Sequence, residues 1–255
     1  MDFLDMEARL GGEFLHPGAH DLTMILIDRM TSEPVARVLE VGGGTGATAN
    51  LIARHTHARV TLLDRSAAML KSAYHRLGTT TSSPLVELLQ ADADLPWPFR
   101  SDSFDALYAE SVVALLDTPH AITEMVRVLR SGGRLWLNER IWRAGTTQHV
   151  VDNVNALSRR IYGFPAATSP AHDCAAWQRL LRESGLCDVQ AEAVDDLLPT
   201  QRWPVPLRHR LLRAWRYVRQ PELIAQSLVF KRRTRQSAAA FAQLDSYLFS
   251  ARKPL

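Results

Sequence analysis

The sequence predicts a doubly wound α/β sheet with a helical addition, and three observations carry the prediction. Residues 37–41 are an apolar, β-branched run that enters the glycine cluster Gly42-Gly43-Gly44-Thr45-Gly46, and a helix-period pattern follows over 47–53. That reads as strand, tight turn and helix. Residues 59–64 form a second β-rich run ending in an acid, Asp64, 18 residues after Gly46. Beyond it, strand-like and helix-like stretches keep alternating, the pattern of a parallel sheet with helical crossovers.

At 255 residues the chain can bury a full core, so one α/β domain with an accessory element is expected. The opening residues lack a basic and apolar leader, and no long apolar run follows. Neither a signal peptide nor a transmembrane helix is therefore expected. Cys174 and Cys187 make no disulfide framework and no zinc spacing with the histidines, so a cytoplasmic location is expected. The net charge of +3 conceals an asymmetry: residues 1–201 sum to −7 and residues 202–255 to +10. The basic character belongs to the last fifth of the chain and is not a general nucleic-acid-type charge.

Residues 3–10 form one or two amphipathic turns before Gly11-Gly12 breaks them. His16-Pro17-Gly18-Ala19-His20 is a second break, and a helix with Leu22, Ile25, Leu26 and Met30 on one stripe starts at His20 or Asp21. His16 and His20 are four apart, but Pro17 and Gly18 between them exclude the helical geometry of a metal pair. The glycine turn lets a ligand lie against bare backbone and face the next helix N-terminus. It has two spellings. Gly42, Gly44 and Ala47 fit G-x-G-x-x-A, the dinucleotide fingerprint. Glu40-x-Gly42-x-Gly44-x-Gly46 is instead an acid followed by alternating glycines, and that acid suits an ammonium and repels phosphates.

Asp64, at the tip of the second strand, can accept both ribose hydroxyls of an adenosine. Ser66 is the expected N-cap of a helix to Leu77, and residues 78–84 form a loop. Residues 85–90 read as the third strand, followed by Ala91-Asp92-Ala93. Leu95-Pro96-Trp97-Pro98-Phe99 and Ser103-Phe104-Asp105 lead into a fourth strand over 104–109, and Thr118-Pro119 reads as an N-cap and N1 pair. The helix that follows runs into Leu129-Arg130-Ser131-Gly132-Gly133-Arg134-Leu135.

These passages in register resemble the class I S-adenosylmethionine (SAM) dependent methyltransferases, small-molecule branch. Glu40 to Gly46 is similar to that family's first motif, residues 95–105 to its "lPf-x-x-x-sFD" passage, and residues 129–135 to "LkPGG-x-L", with Ser131 where proline is usual. The resemblance covers residues 35 to about 140, continues weakly at 177–186, and ends in a last strand at 247–253. It implies a Rossmann-like seven-stranded sheet in the order 3-2-1-4-5-7-6 with the last strand antiparallel. It also implies SAM as cofactor and S-adenosylhomocysteine as product. The implied cofactor residues are Glu40, Gly42, Gly43, Gly44, Gly46, Asp64, Arg65, Met69, Asp92, Ala93 and Glu110, with Asp92 on the adenine amino group and Ala93 on the ring. A leading segment in such enzymes folds over the cofactor as a lid.

The sulfonium methyl is expected near Tyr108, Ala109, Glu110 and Ser111, where the protein aligns a nucleophile and removes its proton. Glu110 is the first candidate for the base or for orienting a cation; Glu139, Tyr108, His149, His172 and Asp173 follow. Ala109-Glu110-Ser111-Val112 lacks the Asn/Asp-Pro-Pro-Tyr/Phe of nucleobase amino methyltransferases, and neither cysteine is near that loop. A small or medium-sized organic acceptor is expected, anionic or carrier-bound acceptors included, with no specific nucleic acid. Two other functions are compatible with the residues: a nucleotide-dependent oxidoreductase, and a SAM-binding protein without turnover.

The domain reading places a lid or helix at 1–34, the SAM-binding core at 35–194 plus 244–255, and a helical cap insert at 195–243. Residues 141–171 show no strong periodicity and break at Gly163-Phe164-Pro165. The insert opens at Trp203-Pro204-Val205-Pro206. It continues with Leu207, Leu211, Trp215 and Val218 on one helical face, His209, Arg213 and Arg216 opposite, and a second helix around 223–230 ending in Lys231-Arg232-Arg233-Thr234-Arg235. The basic insert reads as a solvated face, as a recogniser of an anionic substrate or acidic carrier domain, or as an interfacial surface on an anionic membrane.

Overall fold

Short runs rich in valine, leucine and alanine form strands here because both faces of the sheet are covered, so alternate side chains can all be apolar. The computed structural model describes residues 3–78, 80–81, 83–198 and 207–255; the expected opening of the insert, Trp203 to Pro206, lies outside them. In chain order the elements are α1 (Phe3–Leu10), α2 (Ala19–Thr31), β1 (Arg37–Val41), α3 (Ala47–Thr56), β2 (Arg59–Asp64), α4 (Ala67–Leu77), β3 (Val86–Gln90), β4 (Phe104–Glu110), α5 (Thr118–Val128) and β5 (Leu129–Trp142). There follow α6 (Gln148–Tyr162), α7 (Cys174–Glu183), β6 (Cys187–Ala193), α8 (Val194–Leu197), α9 (Leu207–Arg219), α10 (Glu222–Gln236), α11 (Ala238–Phe241) and β7 (Leu244–Arg252).

The sheet has seven strands in the order β3-β2-β1-β4-β5-β7-β6. β1 pairs parallel with β2 and β4, and β7 inserts antiparallel between β5 and β6. The two-residue period sorts the core into two layers. Val38, Val60, Ala106, Tyr108 and Trp136 pack with Leu22, Leu26 and Ile52 of α2 and α3. Leu39, Val41, Leu107, Leu135 and Leu137 pack with Ile122, Met125 and Trp177 of α5 and α7. Glu40 and Glu110 share the parity of Val38 and Tyr108, so both acids sit on the α3 side at strand ends.

Two local expectations are corrected. The N-cap of α5 is Asp117, whose carboxylate accepts from the His120 N–H at 3.3 Å, while Thr118 is buried at the first helical position. Residues 148–162 are a full helix with Val151, Val154, Asn155, Ser158 and Ile161 buried. Two polar residues sit inside that buried stripe, which breaks the apolar period in the sequence. Asn155 is satisfied there by the backbone of Ala166 and Ala167. The second helix of the insert does end in the basic run, with 231–235 forming the last turns of α10.

Gly46 precedes α3 at φ +71°, and a Cβ built on it would lie 3.1 Å from the Ala73 Cβ of α4. Gly46→Ala is expected to lower unfolding free energy by about 1–3 kcal/mol, from left-handed strain plus a tight contact. Urea denaturation checks it; an unchanged midpoint would contradict the packing described.

Candidate functional site

A cavity of about 300 Å³ opens at the carboxyl ends of β1, β2, β3 and β4, where an open parallel sheet reverses its winding. Glu40 and Gly42 to Gly44 form one wall, Asp64, Arg65, Ser66 and Met69 the next, then Ala91, Asp92 and Ala93. Glu110, Ser111, Val112, Leu115 and Leu116 line the opposite end. The roof comes from Phe3, Leu4, Glu13, Phe14, Leu15 and His16, with Phe164 and Pro165 from the loop after α6. Among the described residues, none of 207–243 lines it.

The glycine turn is held by the second strand. Asp64 Oδ2 accepts from the Gly44 N–H and Oδ1 from the Ser66 N–H, both at 2.8 Å. Burial raises its pKa while these two N–H groups oppose the rise. Each oxygen keeps a further lone pair for a ligand hydroxyl. Gly42 sits at φ +70°, and a Cβ there would come within 2.9 Å of Val112. Gly46 lies behind the loop against α4 and is not part of the cavity wall. The other ten cofactor residues expected from sequence all line the cavity.

The wall is acidic: among the described residues Glu13, Glu40, Asp64, Asp92 and Glu110 line it with one permanent cation, Arg65, and Arg76 pairs with Glu13 from beside the cavity. Glu40 is 3% exposed and its Oε2 has no hydrogen-bond partner. Burial, and then the Asp64 charge, push its pKa up to about 8. A buried carboxyl with one unpartnered oxygen among other acids fits a ligand carrying positive charge and disfavours a pyrophosphate. Glu40, the glycines, Asp64 and Asp92 therefore fit the ammonium and adenosine of SAM and argue against the dinucleotide spelling.

At the end of β4, Glu110 Oε2 accepts from Thr48 Oγ1 at 3.0 Å and lies 3.0 Å from His16 Nε2, while Oε1 accepts from the Tyr108 hydroxyl. His16 Nδ1 is 3.1 Å from both Asn138 Nδ2 and the Pro17 carbonyl. Burial holds Glu110 well above the usual carboxylate range, with the Glu40 charge adding to it, and burial drives His16 down to about 4. Burial thus disfavours the charged form of both partners in the free protein. Ser111, next in the chain, has φ +54° and a buried Oγ without a partner. The segment bearing His16 is stapled to the glycine turn: Arg76 donates to the carbonyls of Thr45 (2.9 Å) and Gly11 (3.1 Å) and pairs with Glu13, and Thr45 Oγ1 donates to the Gly12 carbonyl.

The other base candidates are elsewhere. Glu139 is fully buried and accepts from the N–H groups of Val112, Val113 and Ala114 at 3.1, 2.9 and 3.3 Å, holding the turn after β4. Burial raises its pKa to about 7 against those three donors. Tyr108 is buried beneath the cavity and reaches it only through Glu110. His149 is exposed on α6 and pairs with Asn153 at 2.9 Å; Asp173 caps α7 by accepting from the Ala176 N–H; His172 does not line the cavity. Sequence reasoning missed His16, Phe14, Thr48 and Phe164. The available signal was a histidine in an otherwise apolar stretch, Phe14-Leu15-His16, of a segment expected to fold over the site.

Known proteins agree with this architecture. The family described as a methyltransferase domain matches residues 39–137. The chain is 35% identical over 176 residues to the O-methyltransferase rstn1 of Aspergillus nomiae, covering 69% of this chain and 75% of that one. It is 26% identical over 189 residues to an uncharacterized methyltransferase, YodH, of Bacillus subtilis, covering 74% and 76%. The structure of Haemonchus contortus phosphoethanolamine N-methyltransferase 2 with phosphomonomethylethanolamine and S-adenosylhomocysteine superposes with a TM-score of 0.70 at 19% identity, over 98% of this chain. This chain spans 57% of that longer one. Geranyl diphosphate C-methyltransferase of Streptomyces coelicolor gives 0.63 at 18% identity, over 91% and 78%.

Two measurements follow from the cradle. Asp64→Ala is expected to weaken SAM binding more than tenfold, about 1.4 kcal/mol or more, by calorimetry; unchanged affinity would remove Asp64 from the site. A cationic ligand favours the ionised form of Glu40, whose pKa in the free protein is about 8. SAM affinity is therefore expected to rise from pH 6 to about 8.5 with proton release on binding, and Glu40→Gln should flatten the profile. With the strand order, the acidic cradle and an O-methyltransferase 35% identical in agreement, the chain belongs to the class I SAM-dependent methyltransferases, enzymes that transfer a methyl group and leave S-adenosylhomocysteine.

Proposed function

We propose that the enzyme methylates a hydroxyl of a largely apolar, small or medium-sized organic acceptor, with Glu110 as the base and His16 as its partner. One observation carries the reading: the buried Glu110–His16 pair lines the same cavity as the glycine turn, at 3.0 Å separation. When bound, SAM supplies a methyl group on a positively charged sulfur. Positive charge beside Glu40 and Glu110 favours their carboxylate forms, so Glu110 becomes a proton acceptor as the site fills. The acceptor hydroxyl gives its proton to Glu110, while His16 and Thr48 hold the carboxylate in place. Ser111 Oγ, unpartnered and strained into position, is placed to hydrogen-bond the acceptor.

Phe3, Leu4, Phe14, Leu15, Leu115, Leu116 and Phe164 supply an apolar surround for the rest of the acceptor. The acidic wall disfavours phosphorylated or carboxylated acceptors, so the phosphate-bearing substrates named for the structural relatives are not expected here. An oxygen nucleophile is supported by rstn1 being named an O-methyltransferase. The segment 3–16 acts as the lid, and α9 and α10 support it by packing on α1.

The test is Glu110→Gln assayed by mass spectrometry against phenols, aliphatic alcohols and amines. A fall in kcat of about 10²–10⁴-fold, larger than the accompanying loss of SAM affinity, is the expected outcome. Wild-type-like turnover in this variant would remove Glu110 as base. Turnover of amines with no hydroxyl product would overturn the oxygen assignment.

A further inference from the structure

Among the described residues, six of the ten large apolar side chains that stand exposed fall between 211 and 229. Leu211, Trp215 and Val218 recur at i, i+4 and i+7 on α9, at 54–80% exposure, and Ile224, Leu228 and Val229 are exposed on α10. Both helices already spend their other faces on α1. Leu223 is fully buried with Met6 and Leu10, and the Tyr217 hydroxyl donates to the buried Ser227 Oγ at 2.8 Å. The exposed residues are therefore a second face, not a misplaced core stripe.

The charge around that face is one-sided. Residues 207–236 carry nine lysines and arginines against one acid, Glu222. Lys231, Arg232, Arg233 and Arg235 are exposed along the second half of α10, and the Arg219 guanidinium lies 4.6 Å from the Trp215 ring centroid. An apolar strip with an indole, bordered by arginines, is the composition of a helix lying in a headgroup layer: rings and aliphatic chains enter the acyl boundary while guanidiniums reach lipid phosphates. No helix among the described residues is long and apolar enough to span, so contact would be peripheral.

We propose that α9 and α10 form a docking face for an anionic membrane surface. An acidic carrier protein would satisfy the arginines but leave Leu211, Val218 and Leu228 without apolar partners, and a second copy would bring two strongly basic faces together. Because α1 packs on α9 and α10 and also lines the cavity through Phe3 and Leu4, docking places the lid beside the lipid.

Flotation of the full chain with vesicles of phosphatidylcholine alone or with 30% phosphatidylglycerol tests the proposal. Binding is expected to the anionic vesicles only, weakened at least tenfold between about 50 and 500 mM salt. Trp215→Glu with Leu228→Glu should abolish it while leaving the melting temperature unchanged, since both side chains are exposed. Trp215→Phe should retain binding within twofold and lose fluorescence quenching by brominated lipid. Three results would each overturn the assignment. The first is equal flotation of the double variant or none by the wild type. The second is a dimer in sedimentation that the double variant dissolves. The third is tight binding to purified acyl carrier protein with no vesicle binding.

Discussion

The carboxylate of Asp64 organises the catalytic end of this molecule. Its two oxygens take the N–H groups of Gly44 and Ser66, one on the turn after β1 and one at the start of α4. That locks the glycine turn against the second strand and aims both helix N-termini at one space. The arrangement concentrates negative charge: Glu40 is left buried beside Asp64 with an oxygen unpartnered, and its pKa rises accordingly. A site built this way is incomplete by itself. It is satisfied by a ligand that brings positive charge and hydrogen-bond donors together, which is the chemistry of SAM and not of a dinucleotide.

The same logic extends to the transfer end. Glu110 and His16 come from opposite ends of the domain's first half, one at the tip of β4 and one from the segment before α2. They lie 3.0 Å apart, and burial disfavours the charged form of each. Thr45, Arg76 and Asn138 hold the His16 segment down through backbone carbonyls, so the lid is tied to the cofactor turn itself. The contacts that roof the cavity and the contact of His16 with Glu110 therefore lie on one segment. α1 rests in turn on α9 and α10, so those helices meet the cavity wall through α1.

Much of this was legible in the chain. Strand-turn-helix at 37–53, the acid at 64, Asp92 after the third strand and Glu110 after the fourth are positional features. They were readable because a parallel sheet puts every strand's carboxyl end on one edge. Helix α6 was not, since the buried polar residues Asn155 and Ser158 interrupt its apolar stripe, and Asn155 bonds backbone that only the fold brings near. Glu139 looked like Glu110 in sequence: both are acids near the ends of adjacent strands. They part because three N–H groups of the turn after β4 converge on Glu139.

The sequence by itself determined the winding of the sheet, the position of the glycine turn and the acids that rim it, because local periodicity and turn chemistry dictate these. Tertiary structure alone decided that Glu110 lines the cavity while Glu139 holds a turn, that His16 meets Glu110, and that Gly46 serves packing. It also decided that the apolar stripe of α9 points outward. Each of these depends on contacts between residues far apart in the chain, whose desolvation and pairing no local pattern encodes.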